Sequence, residues 1–346
     1  MGTGSEAIVA GFRRHPILIT APIAALALGA GYAAQALLRP GPTASDRQLL
    51  DTLIASPQPS LAARSSGEEA VEKRSTTREG APLDSTAGVR AHKAAGTAAG
   101  TALPLPAEGP GVSLEIRVAL LKLSATPSLG ASGPWQAQDR QGRLLARGTA
   151  GERPDGSRLL ASHPEVWLRP GAGHHLVADG KAYAGTFRLL RASDGFQVVN
   201  HIPLESYISS VVGGEMPTNW SMEALRAQAV AARSYAMAHM ARPADAHWHL
   251  GDTTRWQNYT GLAAVNQRTV EATTSTNGVI LSYQGGIVES LYAATHQISQ
   301  EAHGHLGASM SQHGAQDLAQ QGLRYNEILG HYYRGASLAR LETGAS

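Results

Sequence analysis

A glycine-rich break near the middle of this chain, Val211-Val212-Gly213-Gly214-Glu215-Met216-Pro217, separates two kinds of periodicity and so limits the folds open to it. Before the break the chain reads as short strands; directly after it a long helical run covers residues 221–239. Residues 112–120 alternate apolar and polar, the mark of a half-buried strand. Further strand-like pieces lie at 135–138, 144–148, 165–168, 175–178, 185–191 and 196–200. Turn signals separate them, among them Asp139-Arg140-Gln141-Gly142, Pro154-Asp155-Gly156, Asp179-Gly180 and Ser193-Asp194-Gly195. This spacing predicts an antiparallel β module.

In the helical run Ser221 stands as N-cap and Glu223 suits the dipole of the first turn. Leu225, Ala229, Ala232 and Ala236 share one stripe, while Arg226 and Arg233 share another. A second helix is predicted over 264–277, closed by Gly278. A hairpin over 279–293 turns at Gln284-Gly285-Gly286, and helices at 315–322 and 325–333 close the fold. The expected class is α+β. An antiparallel β-rich module over 111–205 packs with a helical α+β part over 206–335, and 336–346 is a tail.

The first third of the chain reads differently. Arg13, Arg14 and His15 precede residues 16–38, which carry no charge. About 20 apolar residues cross a hydrocarbon core of ~30 Å. Basic residues on the leading flank assign 1–15 to the cytoplasm. The stretch is longer than the apolar region of a cleavable signal, about 7–15 residues, although Ala34-Gln35-Ala36 has the small residues of a cleavage site. The expectation is a transmembrane signal anchor in the inner (cytoplasmic) membrane, single-pass, with the domain in the periplasm or extracytoplasmic space. Residues 39–110 are Ala, Ser, Thr, Gly and Pro with scattered charges. They hold too little apolar surface to offset ordering entropy and read as a disordered, flexible linker.

Among 346 residues there is no cysteine, which excludes disulfides, thiolate nucleophiles and Cys-bound zinc. A net charge of +2 gives no reason to invoke nucleic acid. The chain has 14 histidines, and His247-x-His249 and His303-x-His305 place pairs on one face of a strand. A metal site would have to be built from His alone, and solvated loop histidines are the simpler reading. No metal or other cofactor is expected.

Glu215 is the first candidate for chemistry. Its position at a glycine-rich break, with little side-chain bulk around it, suits action on a bound polymer. Nearby Val211, Val212, Met216 and Trp220 would desolvate the carboxyl and keep it protonated near neutral pH. The alternative is a Glu that helps cap the following helix.

The spelling around Glu215 carries a resemblance. Glu215-Met216-Pro217, Trp220 and the run Glu223-Ala224-Leu225-Arg226-Ala227-Gln228-Ala229-Val230-Ala231-Ala232-Arg233-Ser234-Tyr235-Ala236 resemble the core signature of the sporulation stage II protein D / LytB family. Residues 183–187 and 198–208 look like that family's approach to its acidic motif. Residues 252–261 resemble its acid-then-Gln-x-Tyr-x-Gly element, and 307–315 its glycine-rich Met-Ser-Gln motif. The resemblance implies a peptidoglycan lytic transglycosylase with Glu215 as the single acid and base. Gln228, Arg233, Asp252, Gln257, Tyr259, Ser311 and Gln312 would bind substrate. Implied partners are peptidoglycan glycan strands, the membrane through the N-terminal helix, and a wall amidase. The alternative function is a non-catalytic peptidoglycan-binding or amidase-enhancing envelope protein.

Single residues also have alternatives: an ion pair of Arg233 with Glu205 or Asp252, loop-backbone contacts for Gln228, and core packing for Tyr259. The chain departs from the family where Leu306 stands in place of a His and Ser309 in place of a Gly. Residues 294–301 also run almost straight into Gly304, which makes this a shortened member with a reduced second cleft wall.

Overall fold

The computed structural model describes residues 102–297 and 308–342. The expected anchor at 16–38, nearly all of the linker, and His303 with His305 lie outside these residues. So does most of the shortened segment before Gly307. Among the described residues, no helix is long and apolar enough to cross a membrane.

The β module is built on a seven-stranded sheet. Its strands are β1 (Glu115–Ala119), β3 (Trp135–Gln138), β4 (Leu144–Gly148), β5 (Glu165–Pro170), β8 (Thr186–Ala192), β9 (Gly195–Pro203) and β10 (Leu250–Gly251), in the order β10-β1-β9-β8-β5-β3-β4. All neighbours are antiparallel except β1 and β10. A small second sheet joins β2 (Leu129–Ala131), β6 (Leu176–Ala178) and β7 (Lys181–Tyr183).

The register sorts the side chains cleanly. Ile116 lies opposite Ile202, Leu189 opposite Val198 and Val166, and Leu168 opposite Phe187 and Ala137. All of these are buried and form one apolar face. The alternate positions give Arg117 opposite His201, Trp167 opposite Arg188 and Gln138, and Gln136 opposite Arg169 and Arg147. That second face is polar, as expected of an antiparallel sheet covered on one side. One element escapes the period-2 reading. The turn signal at Asp155 instead caps a short helix, α1 (Gly156–Ser162), whose Arg158 N–H donates to the Asp155 carboxylate at 2.9 Å.

The helical half begins earlier than its sequence pattern predicts. Helix α2 spans Leu204–Glu215, so Gly213 and Gly214 are helical and Glu215 is the last helical residue. The break falls at Met216, which is extended, followed by Pro217. The two glycines serve close approach. A Cβ on Gly213 would lie 2.0 Å from the Ala264 carbonyl oxygen, and one on Gly214 would lie 2.3 Å from that of Asn258. The loop over 252–264 therefore rests directly on the α2 backbone.

Helix α3 (Met222–Ala241) runs through the centre, buried at every residue from Ala227 to Met240. It is wrapped on all sides, not on one stripe. Its alanines allow α2, α4 (Gln267–Thr274), α5 (Gln312–Gln320), α6 (Tyr325–Tyr332) and β11 (Val279–Tyr283) to pack closely around it. The predicted helix over 264–277 divides into a 3₁₀ turn (Gly261–Ala264) and α4, which starts at a capping box on Asn266.

The predicted hairpin closes early. β11 pairs with β12 (Gly286–Ile287), but β13 (Leu291–Ala293) leaves it and pairs in parallel with β14 (Ser309–Ser311). Part of the expected tail is structural, since β15 (Ser337–Arg340) forms the other neighbour of β11. The end of the expected linker also packs: Leu103 is buried, and its N–H donates to the Asn326 carbonyl at 3.2 Å.

Candidate functional site

The site forms where the C-terminal end of α2, the loop over 252–261 and the start of α5 converge. Two donors hold the Glu215 carboxylate. The Asn258 backbone N–H reaches Oε1 at 2.7 Å, and the Gln312 side-chain amide reaches Oε2 at 3.3 Å. Glu215 is partly buried beside the buried Val211, Val212 and Met216. Burial pushes its pKa above the ordinary glutamate value, against the opposing pull of the Asn258 N–H, the Gln312 amide and the Lys122 charge. Desolvation disfavours the charged form, so the carboxyl is biased towards holding its proton.

The loop owes its position to buried side chains on either side of Asn258. Gln257 is fully buried and accepts a hydrogen bond from the Tyr207 hydroxyl at 2.8 Å. Its amide donates to the Ala232 carbonyl at 3.1 Å and to the Tyr292 hydroxyl oxygen at 2.8 Å. Tyr259, also buried, donates to the Asn200 side chain at 2.6 Å. With Gln257 and Tyr259 turned inward, Asn258 is left facing α2. Its amide donates to the Gly214 carbonyl at 2.6 Å, and Lys122 donates to its side-chain oxygen at 3.1 Å. Asp252 ties the start of the loop to the end of β1, accepting from the N–H groups of Leu121 at 2.9 Å and Lys122 at 3.3 Å. Burial raises the Asp252 pKa as well.

Other expected site residues fall into distinct places. Gln312 contacts Glu215 directly. Ser311 is buried as the N-cap of α5, accepting from the Gly314 N–H at 3.1 Å. Arg233 is fully buried and grips Glu205 with two bonds, at 2.8 and 2.7 Å. It also donates to the carbonyls of Val279 at 2.9 Å and Thr273 at 3.3 Å. Its donors are spent on the framework, so it is a clamp among α2, α3, α4 and β11, which is the ion-pair alternative read for it. Arg226 turns away to Glu223 and Ser275.

Gln228 is also fully buried, and neither atom of its amide has a partner among the described residues. It lies one turn ahead of Ala232, whose carbonyl receives Gln257. A buried unpaired amide is unusual enough to call for an explanation.

Asn258, Lys122 and Tyr292 were not singled out in the sequence. Asn258 acts mainly through its backbone, which no residue-type search detects. Its sequence signal is the alternation Gln257-Asn258-Tyr259, which turns the middle residue opposite to its neighbours. Tyr292 lies within the electrostatic reach of Glu215; burial first and that charge second push its pKa well above the ordinary tyrosine range, so it stays a phenol. Among the described residues, no group of three or more His, Asp or Glu is placed to hold a metal ion. His249 is buried against Arg117, which approaches Nε2 at 3.0 Å.

Comparison with known proteins falls on the same region. Residues 192–283 match the family model for Stage II sporulation protein (SpoIID), a span running from β8 through α2 and α3 to β11. An uncharacterized protein of Brachyspira hyodysenteriae is 35% identical over 117 residues, 34% of this chain and 32% of that protein. The Amidase enhancer of Bacillus subtilis is 35% identical over 124 residues, 35% of this chain and 17% of that protein. Stage II sporulation protein D of Bacillus subtilis is 32% identical over 114 residues, 29% of this chain and 33% of that protein. The matched segment thus spans a third or less of each relative's length. The Glu-Met-Pro turn, its helix and the Gln-Asn-Tyr loop all lie inside the matched segment, and it is over this segment that the chain is similar to the Stage II sporulation protein family.

Proposed function

We propose that this protein cleaves peptidoglycan glycan strands as a lytic transglycosylase, with Glu215 as the one acid and base. The observation that carries the reading is a single partly buried carboxyl, held by one backbone N–H and one amide, with its pKa raised by burial. A protonated Glu215 gives its proton to the oxygen of the leaving sugar. The resulting carboxylate then takes a proton from the muramyl 6-hydroxyl as that oxygen closes on C1. The glycosidic bond breaks, the intramolecular ether forms, and Glu215 ends protonated. No water enters, so the reaction needs no second carboxylate at the distances seen in hydrolases.

Digestion of purified peptidoglycan, with and without stem peptides, followed by mass analysis of the products, tests this. Anhydromuramyl ends are expected. Reducing ends would identify a hydrolase with a second carboxylate activating water. The raised pKa also predicts that cleavage falls as pH rises through the Glu215 titration, because the acid form is lost.

The second reading is a glycan-binding wall protein that stimulates an amidase, supported by the 35% identity to the Amidase enhancer. It predicts retention on glycan with no cleaved product. For either function we infer that residues 16–38 anchor the domain outside the cytoplasm. A C-terminal reporter active only in the cytoplasm would overturn that topology.

A further inference from the structure

The polar face of the seven-stranded sheet carries a cleft of about 510 Å³ over β3, β5, β8 and β9, lined by Gln138, Arg140, Trp167, Arg169, Arg188 and His201. A neighbouring cleft of about 600 Å³ at the β3–β4 side is lined by Gln136, Arg147 and, again, Arg169. Arg169 borders both, so the two adjoin across the strands.

The carboxylates of these clefts are already engaged. Glu165 is gripped by Arg188 and accepts from the Trp167 indole N–H at 3.3 Å. Asp139 accepts from the N–H groups of Gln141 at 3.0 Å and Arg143 at 2.9 Å, and from the Arg143 guanidinium at 2.9 Å. Glu152 accepts from the Thr149 N–H at 2.6 Å.

Several of the cations are not engaged in this way. Exposed Arg147 has no hydrogen-bond or ion-pair partner among the described residues. Arg169, also exposed, donates only to the Gln138 side chain at 3.2 Å. Arg140 stays 4.0 Å from Glu165. The Trp167 ring lies 5.7 Å from the Arg169 guanidinium and 5.6 Å from that of Arg188, which braces both along the cleft.

A second observation points to a ligand. The His201 side chain is 6% exposed and lines the first cleft. Its Nδ1 lies 2.7 Å from the Glu115 carboxylate, while Nε2 has no partner among the described residues. His201 holds the Glu115 carboxyl below its ordinary value, first through this hydrogen bond. An ionised carboxylate only accepts, so Nδ1 carries a proton, and Nε2 is the ring nitrogen left for a ligand. The clefts thus combine guanidinium donors, amide groups from Gln136 and Gln138, and one unpaired imidazole nitrogen for a sugar hydroxyl.

We infer that these adjoining clefts bind a carboxylate-bearing glycan strand, with Arg147 and Arg169 receiving its carboxylates and His201 a sugar hydroxyl. The choice of glycan rests on the proposed function, since a peptide-free strand exposes lactyl carboxylates. The site itself is separate from Glu215.

Calorimetric titration of the full chain tests this with a muramyl-containing tetrasaccharide, neutral chitotetraose and tetraglutamate. The acidic sugar is expected to bind about ten-fold tighter than chitotetraose, weakening with salt, as two charge-assisted contacts would give. The doubly substituted Arg147→Ala, Arg169→Ala protein should lose that preference with an unchanged melting temperature, because both side chains are exposed. Glu215→Gln should keep it. Equal binding of the two sugars, or a preference indifferent to the double substitution, would overturn the inference. So would loss of the preference in Glu215→Gln, which would assign it to the other site, or equally tight tetraglutamate, which would make the clefts general anion sites. If no product forms in digestion while the preference persists, the catalytic reading fails and this site stands.

Discussion

The sheet half and the helical half of this protein treat polar side chains in opposite ways. The sheet sends its charges to one face, where Arg147 and Arg169 stand exposed. The helical half buries Arg233, Gln228, Ser234 and Gln257 completely. It turns most of them inward against carbonyls and hydroxyls. Polar residues near Glu215 are therefore mostly framework here. They fix a loop and two helix ends so that one carboxyl, Glu215, meets two donors.

The largest expected difference between framework and chemistry lies in Glu215→Gln. Removing proton transfer should lower cleavage by roughly 10²–10⁴-fold. The melting temperature should hold, since the amide can replace one contact. Rates and thermal melts of the same preparation check this. Retained cleavage would move the acid elsewhere, with Asp252 the next carboxyl.

Arg233→Ala should do the reverse. It strips Glu205 of its partner and unpairs two carbonyls, at a cost of roughly 2–4 kcal/mol, read as a lower urea midpoint at constant m-value. An equally stable variant that loses glycan affinity would make Arg233 a substrate contact after all.

Gly213→Ala is a finer probe. In an ordinary helix it would stabilise by up to about 1 kcal/mol. Here the new Cβ meets the Ala264 oxygen, and overpacking of roughly 1–3 kcal/mol should reverse the sign. A stabilised variant would show that the loop yields.

A pH titration compares the halves from another side. His249 joins β10 to Arg117, and burial, its largest cause, lowers its pKa to about 3. The native state binds fewer protons than the unfolded one, so this contribution is full above the unfolded value of 6.5 and lost as pH falls towards 3. Denaturant melts across that window should lose their slope in His249→Gln.

The smallest expected effect is in Gln312→Leu. It removes a donor that lowers the Glu215 pKa, so the falling limb of the pH–rate curve should move to higher pH.

The same contrast explains what could be read from the sequence. Period-2 alternation located β1, strand-like pieces between turn signals located β3, β4, β5, β8 and β9, and local spacing located α3. Helix α2 was hidden because Ser209-Ser210-Val211-Val212-Gly213-Gly214 has weak intrinsic helix preference. It is held by loops that settle onto its glycines. The parallel pair β13–β14 and the strand β15 depend on partners far along the chain, beyond the reach of a local pattern. Glu215 came from the glycine-rich break and family spelling, and Gln312, 97 residues away, from family spelling alone. The Asn258 N–H escaped because backbone donors have no residue signature. For Arg233, residue type left ligand and clamp equally open, and only the position of Glu205 separates them.

Proton donation by Glu215 at neutral pH depends on burial keeping its carboxyl protonated at higher pH than a free glutamate. Carbon-13 titration of the side-chain carboxyls, with the Glu215→Gln spectrum subtracted, isolates that one group. A midpoint above the ordinary value of 4.5 is expected. A midpoint at or below 4.5 would mean that the Asn258 and Gln312 donors outweigh burial, and Glu215 could not serve as the resting acid.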